Sequence, residues 1–141
     1  MSAAADYLEN ALLDHVLRNT AYTSPTTVYV GLATADPSTG STAENLEAGT
    51  LTDEVSASGT AYTRKAVTFA AASAGSCTTN ANVTFDAATA NWGTITHVFI
   101  ADGATPGAGN VLFYGALDTA KTIESGDTFQ ITTGNLTVTL A

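Results

Sequence analysis

The residues best suited to chemistry lie in the stretch NWGTITHVFIAD, residues 91–102. His97 stands in the middle of the most hydrophobic strand-like run of the chain, Trp92 precedes this run, and Asp102 ends it. An imidazole oriented by a carboxylate is a common general base. Residues five positions apart in a strand point to opposite faces, so a direct bond between His97 and Asp102 is not expected. The pattern favours a structural or interface histidine over a catalytic one.

The same strand is apolar on both faces. Ile95, His97 and Phe99 are expected to share one face, and Val98 and Ile100 occupy the other. A strand of this kind is covered on both sides. We therefore expect the core of the domain on one side and a helix or a neighbouring chain on the other.

Other patterns that could support catalysis or ligand binding are weak. Cys77 is the single cysteine and has no cation beside it, so an inert thiol is the better interpretation. The carboxylates of Glu44, Glu47, Asp53 and Glu54 fall in the least regular segment and are expected to form a solvated acidic loop rather than a glycosidase pair. The sequence lacks a nucleophilic-serine motif, a phosphate-binding loop, an EF-hand and a zinc pattern. It predicts no enzyme, no cofactor and no metal.

Composition and charge exclude further classes of function. The sequence contains four lysines and arginines and 13 aspartates and glutamates, which gives a formal charge of −9. Only 12% of the 141 residues are charged. Nucleic-acid binding needs several cations to neutralise phosphates, and an anionic bilayer also repels an acidic protein. The N-terminus lacks the features of a signal peptide, and no apolar run approaches the roughly 18 residues of a membrane span. We expect a protein made in a cytoplasm that contacts neither nucleic acid nor membrane.

One helix is predicted, over residues 3–18. Ser2 is the expected N-cap, and Asp14 and Arg18 are spaced to pair across the last turn. Apolar residues recur at intervals of three and four, forming a stripe of Tyr7, Leu8, Ala11, Leu12, Val16 and Leu17. This stripe must pack either on the domain's own sheet or on a neighbouring subunit.

After Pro25 the hydrophobic period changes from helical to alternating, which indicates strands. The predicted strands span residues 26–34, 60–73, 83–85, 94–101 and 110–117, and TFQIT and LTVTL are predicted to form a terminal hairpin around TGN. About seven or eight short antiparallel strands predict an all-β fold. The expected architecture is a single β-sandwich or jelly-roll-like barrel with one N-terminal α-helix, in one domain over residues 1–141.

The region between the first two strands has no steady period. Residues 35–41, ADPSTGS, form a turn cluster, and residues 41–59 are predicted to be a long exposed loop or arm. Loops of this length in a small domain are usually functional or disordered.

The order of these elements resembles a family of small structural proteins of tailed bacteriophages. The resemblance is carried by LENALLDHVLRNTAYTSPTTVYVGLATADP, YTRKAVTFAAAS, NWGTITHVFIAD and VLFYGALDTAKTIESGDTFQITTGNLTVTL, nearly the whole chain except the 41–59 segment. Members of this family carry labels such as tail fibre protein or minor structural protein. The resemblance implies a virion component and supplies no catalytic residue.

Within that class we expect a capsid decoration, or cement, protein on the outer surface of the head, made in the host bacterial cytoplasm. Its expected partners are the phage major capsid protein and copies of itself, with a trimer as the first guess. The alternative is a tail, baseplate or fibre-base protein whose partners are tail proteins or a host glycan. The residues expected at an interface are Tyr7, Leu8, Leu12, Val16, Leu46, Leu51, Trp92 and His97.

Overall fold

A computed structural model describes residues 2–34 and 42–140, so the predicted turn at 35–41 lies outside the described residues. Two helices and nine strands are found in this part of the chain. In chain order they are β1 (Ser2–Ala4), α1 (Asp6–Leu17), β2 (Val28–Thr34), α2 (Thr42–Glu47), β3 (Lys65–Val67), β4 (Ser76–Thr78), β5 (Val83–Thr84), β6 (Gly93–Ala101), β7 (Val111–Ile123), β8 (Gln130–Ile131) and β9 (Thr137–Thr139).

Five strands form an antiparallel sheet in the order β1-β7-β6-β2-β3. Two small antiparallel pairs, β4 with β9 and β5 with β8, lie next to its two edges, with β9 beside β1 and β5 beside β3. The strands of the described residues form sandwich-like layers and do not close into a barrel. The prediction of an all-β sandwich with an N-terminal helix is confirmed.

The large sheet buries apolar side chains on both faces. Val30, Leu32, Val98 and Ile100 belong to the main core, which they share with residues of the small sheets such as Ile131. On the other face, a smaller cluster contains Ala33, Phe99, Ala101 and Val111, and Leu46 of α2 packs against it. The expectation that β6 is covered on both sides is correct, and the covering element on the second face is α2.

Residue 41 lies outside the described residues, and residues 42–59 do not form the exposed arm that the sequence predicted for 41–59. Strand β3 pairs with β2 only as far as Val30, so the second half of β2 needs another partner for its backbone. Residues 53–55 supply it: Thr34 N donates to Asp53 O at 2.8 Å, and Val55 N donates to Leu32 O at 3.0 Å. Paired backbone and the packing of α2 fold this segment onto the sheet.

The N-terminal helix is shorter than predicted. Residues 2–4 pair with β7 as strand β1, and α1 begins at Asp6 after an N-cap, Ala5, whose side chain makes no capping bond. The side chain of Ser2 instead accepts a bond from Thr139 N at 2.9 Å. Strand pairing therefore overrides the local helix propensity of the alanines. At the other end, Asp14 and Arg18 form the predicted pair at 3.0 Å.

Four further strand predictions need correction. The predicted terminal hairpin does not form, because β8 pairs with β5 and β9 pairs with β4. The predicted strand at 60–73 is reduced to β3, whereas β7 extends to Ile123. A register shift between Ile95 and His97 places Ile95 in the main core, so it does not share a face with His97 and Phe99.

Gly31 in β2 makes room for the ring of Phe99 in the neighbouring strand. A Cβ placed on Gly31 would stand 2.1 Å from Phe99 Cζ, far inside van der Waals contact. The ring is fully buried in the second cluster, so it has little space into which it can move. The missing side chain at this position is therefore a packing requirement.

We expect Gly31→Ala to lower the free energy of unfolding by about 1–3 kcal/mol, because the added methyl forces the Phe99 ring out of its packed position. Urea denaturation followed by circular dichroism measures the change. Gly103→Ala is the matched control, since its Cβ would find its nearest neighbour at an ordinary 3.8 Å. Equal stability of the two variants would contradict the packing argument.

Candidate functional site

A buried ion pair joins the residues that precede β3 to the segment at 53–55. Arg64 and Glu54 have side-chain exposures of 0% and 3%. Arg64 Nε donates to Glu54 Oε1 at 2.8 Å, and Arg64 Nη2 donates to Glu54 Oε2 at 2.8 Å. This two-point contact satisfies both carboxylate oxygens at once. Burial removes both charges from water, and the free-energy cost of this desolvation is offset only when both side chains are completely hydrogen-bonded.

The ion pair also holds the loop between β6 and β7. Arg64 Nη1 donates to Gly103 O at 2.7 Å and to Ala108 O at 2.8 Å. Gly107 N donates to the Glu54 carboxylate at 2.7 Å. The guanidinium also lies 5.2 Å from the centre of the Phe99 ring. Every polar atom of the two side chains is bonded to another group of the chain. We therefore interpret the cluster as a structural clamp.

Tyr62 connects the clamp to β2. Its hydroxyl donates to Glu54 Oε1 at 2.9 Å and accepts from Leu32 N at 2.9 Å. Burial and the nearby Glu54 carboxylate both raise the pKa of the phenol, so it stays protonated and keeps donating. This cluster was not expected from the sequence, and Glu54 is buried in it rather than in the predicted solvated loop. The available signal was the spacing of Tyr62 and Arg64, which places both on one face of an extended segment.

Trp92 belongs to an aromatic cluster in the main core. Its ring meets Tyr62 edge-on at 5.4 Å and Phe85 edge-on at 6.2 Å between centroids. Trp92 Nε1 donates to Thr60 O at 2.9 Å, which satisfies its only polar atom. With 5% of its surface exposed, Trp92 cannot act as a stacking platform for a sugar.

His97 is half-buried and its Nδ1 lies 2.9 Å from Thr96 Oγ1. Asp102 is engaged elsewhere: its carboxylate accepts from Asn110 N and Asn110 Nδ2, both at 2.8 Å. The two side chains therefore do not act as a pair, which agrees with the structural interpretation of His97. Burial lowers the pKa of His97, and the charge of Asp53 opposes this effect only partly.

Cys77 lies on strand β4 opposite Val138. Its side chain is half-buried and packs against the main core. Within the described residues, His, Cys, Asp and Glu side chains form no group of three that could hold a metal ion. Neither α1 nor α2, the helices of the described chain, is long and apolar enough to cross a membrane.

The most unusual surface lies on α1. The large apolar side chains exposed in the described chain are Tyr7, Leu13, Val16, Leu17 and Leu140, so four of the five are on this helix. Val16 and Leu17 are 73% and 74% exposed. Within the predicted stripe, Leu8 is buried and Leu12 packs at the edge of the core, whereas Tyr7, Val16 and Leu17 are exposed. An exposed apolar cluster of this kind typically marks an interaction surface.

The structure divides the eight predicted interface residues into two groups. Leu8, Leu46 and Trp92 are buried inside the chain, so their side chains are not available to a partner; their apolar character serves the core. Leu12, Leu51 and His97 are half-buried, whereas Tyr7 and Val16 are exposed. An interface role stays a prediction for these five. Leu13 is 56% exposed on the same helix and was not included.

An acidic surface adjoins α1. Glu47 ends α2, which packs against β7, the strand that contains Tyr114. Burial, and then the nearby carboxylates of Glu47, Glu9 and Asp6, raise the pKa of Tyr114. These three carboxylates therefore lie close enough to act on one phenol. We call Asp6, Glu9 and Glu47 the acidic patch.

Removal of Arg64 tests the clamp. We expect Arg64→Ala to lower the free energy of unfolding by about 3–5 kcal/mol, because it leaves the Glu54 carboxylate buried without its partner. Lys65→Ala is the control: Lys65 pairs with Asp86 at 2.7 Å, but the side chains are 25% and 63% exposed, and we expect a loss of about 0–1 kcal/mol. Guanidinium denaturation measures both. If Arg64→Ala does not fold, Glu54→Gln replaces it, and a loss no larger than the control's would refute the clamp.

The lowered pKa of His97 makes stability depend on pH. Below pH 6.5, the ordinary pKa of histidine, the imidazole binds a proton more readily in the unfolded chain than in the folded one. The contribution of neutral His97 to the free energy of unfolding is therefore complete above about pH 6.5 and is lost as the pH decreases below that value. Denaturation curves at about pH 7.5 and about pH 5.5 should show this loss, reduced in His97→Gln. His15→Gln serves as the control and should keep it. An unchanged pH response in His97→Gln would show that another group is responsible.

Comparison with known proteins adds the identity of the family. No individually curated protein matches this sequence. The model of one protein family, described as podophage GP4 fiber I protein gp80, matches residues 3–139, nearly the whole chain. The match confirms the resemblance to structural proteins of tailed phages and implies a virion component; it gives no specific support to head decoration. The chain belongs to the family of the podophage GP4 fiber I protein gp80.

Proposed function

We propose that this chain is a structural subunit of the tail-fibre apparatus of a tailed phage. The observation that carries the proposal is the family match over residues 3–139, whose description names a fibre protein. The same match supports the fibre alternative at least as well as the capsid decoration that the sequence analysis favoured. The proposed role is mechanical and assembly-related, with no reaction assigned.

The structure of the chain is compatible with such a role. The Arg64–Glu54 clamp and the two apolar clusters fix the sheet, the 53–55 segment and the β6–β7 loop relative to one another. A small rigid domain transmits force and position well, because close-packed interiors deform little. The exposed apolar residues of α1 supply the surface through which this domain joins a neighbour.

Copy number separates the fibre proposal from the decoration prediction. We expect quantitative mass spectrometry of purified virions to find this chain at a small fraction of the amount of the major capsid protein, because the proposed tail fibres attach at one end of the particle only. Gold-labelled antibodies against the chain should mark the tail end of the particle in electron micrographs. A copy number comparable to that of the major capsid protein, with label over the whole head, would overturn the fibre proposal in favour of decoration. Absence from the particle would overturn both.

A further inference from the structure

The exposed face of α1 has two chemically different halves. At 3.6 residues per turn, Leu13, Val16 and Leu17 share about one third of the helix circumference. Asp6 and Glu9 stand seven residues before Leu13 and Val16, so they continue the same face toward the N-terminus. The face is apolar in its C-terminal half and acidic in its N-terminal half.

The acidic half extends beyond the helix and is not neutralised by the chain itself. Tyr114 of β7 pairs with Ala3 of β1, directly before the first turn of α1 with Asp6 and Glu9, and α2, which ends at Glu47, packs on the same strand β7. Among the four cations, Arg18, Arg64 and Lys65 pair with other carboxylates, and Lys121 lies in β7 opposite Ile95. In the described part of the chain, no ion pair reaches the acidic patch. The patch therefore keeps an attraction for an external cation.

A second copy of the chain fits this face poorly. In a parallel helix pair, the acidic halves would face each other and repel. In an antiparallel pair, the acidic half of one helix would cover Leu13 and Leu17 of the other and lose its hydration without gaining an opposite charge. The helix is also only about 18 Å long, so one face of it offers much less than the roughly 800 Å² per partner of a stable complex.

A basic partner satisfies both halves. An apolar pocket would bury Leu13, Val16 and Leu17, and lysines or arginines beside the pocket would meet Asp6, Glu9 and Glu47. The contact would then extend from α1 onto α2 and gain the area that the helix alone lacks. Complementary charge would also orient the two proteins as they meet.

We infer that the C-terminal half of α1 and the acidic patch together form a docking surface for another virion protein that presents an apolar pocket flanked by lysines or arginines. This inference rests on the proposed function, since it requires the chain to be part of a particle. It names the chemistry of the partner surface, which the family match does not.

Photo-crosslinking in assembled particles tests the partner directly. The probe is p-benzoylphenylalanine at Val16 or at Leu17, in separate variants of the full chain, incorporated during infection. After irradiation of purified virions, mass spectrometry identifies the joined peptides. We expect both variants to join the same segment of a different virion protein, with lysine or arginine close to the crosslinked site. Ala87, an exposed residue after β5, is the control position and should not yield this product.

The other outcomes separate the two proposals. Virions without the chain would overturn the proposed function itself. Virions that contain the unmodified chain but crosslink it to a second copy, or to a segment without lysine or arginine, would overturn the docking inference and leave the fibre role intact. The docking inference also fails if the Val16 and Leu17 probes yield no crosslink in particles that contain them.

Charge reversal provides an independent measurement. We expect Glu9→Lys with Glu47→Lys to reduce the copies per particle about tenfold, a change that corresponds to ~1.4 kcal/mol of binding. Asp118→Lys with Glu124→Lys changes the net charge equally at exposed positions outside the patch and should leave incorporation unchanged. Thermal unfolding of both purified variants checks that they are folded. Equal incorporation of the two variants would overturn the role of the acidic patch.

Discussion

A guanidinium and a carboxylate withdrawn from water together destabilise a fold unless their hydrogen bonds are replaced. The pair formed by Arg64 and Glu54 achieves this replacement with groups from three separate parts of the chain. The carboxylate lies in the segment that completes the edge of β2, and the carbonyls of Gly103 and Ala108 belong to the β6–β7 loop. Neither the segment nor the loop has a large apolar core of its own. The ion pair adds a buried connection between them to the backbone bonds that already hold the 53–55 segment against β2.

The clamp explains how so small a sheet is covered on both faces. With the 53–55 segment held against β2, α2 is positioned so that Leu46 reaches the cluster around Phe99 and Val111. On the opposite face, β5, β8 and β9 complete the main core. Gly31 and Phe99 show how closely the layers fit, because the ring occupies the space where any side chain on residue 31 would stand.

Both faces of the sheet are covered by other elements, whereas the C-terminal half of α1 is exposed. The helix leaves the sheet after Leu12, and its last turns carry leucine and valine into solvent. The formal charge of the chain is −9, and three of its four cations pair with carboxylates of the same chain. The chain therefore presents a negative surface to its neighbours. Apolar contact supplies affinity and charge supplies orientation in such an encounter. This combination suits the assembly role that we propose within a fibre protein family.

The sequence by itself determined the class of the fold and the absence of familiar catalytic motifs, because alternation, turn residues and composition are local properties. It placed α1, β2 and β6 to within a few residues and found the Asp14–Arg18 pair, whose members are neighbours on one helix. Only the tertiary structure decided strand partners. The C-terminal strands pair with β4 and β5 rather than with each other, since contacts between distant segments leave no local pattern. For the same reason Glu54, which the local sequence presents as a solvated acid, is the buried partner of Arg64.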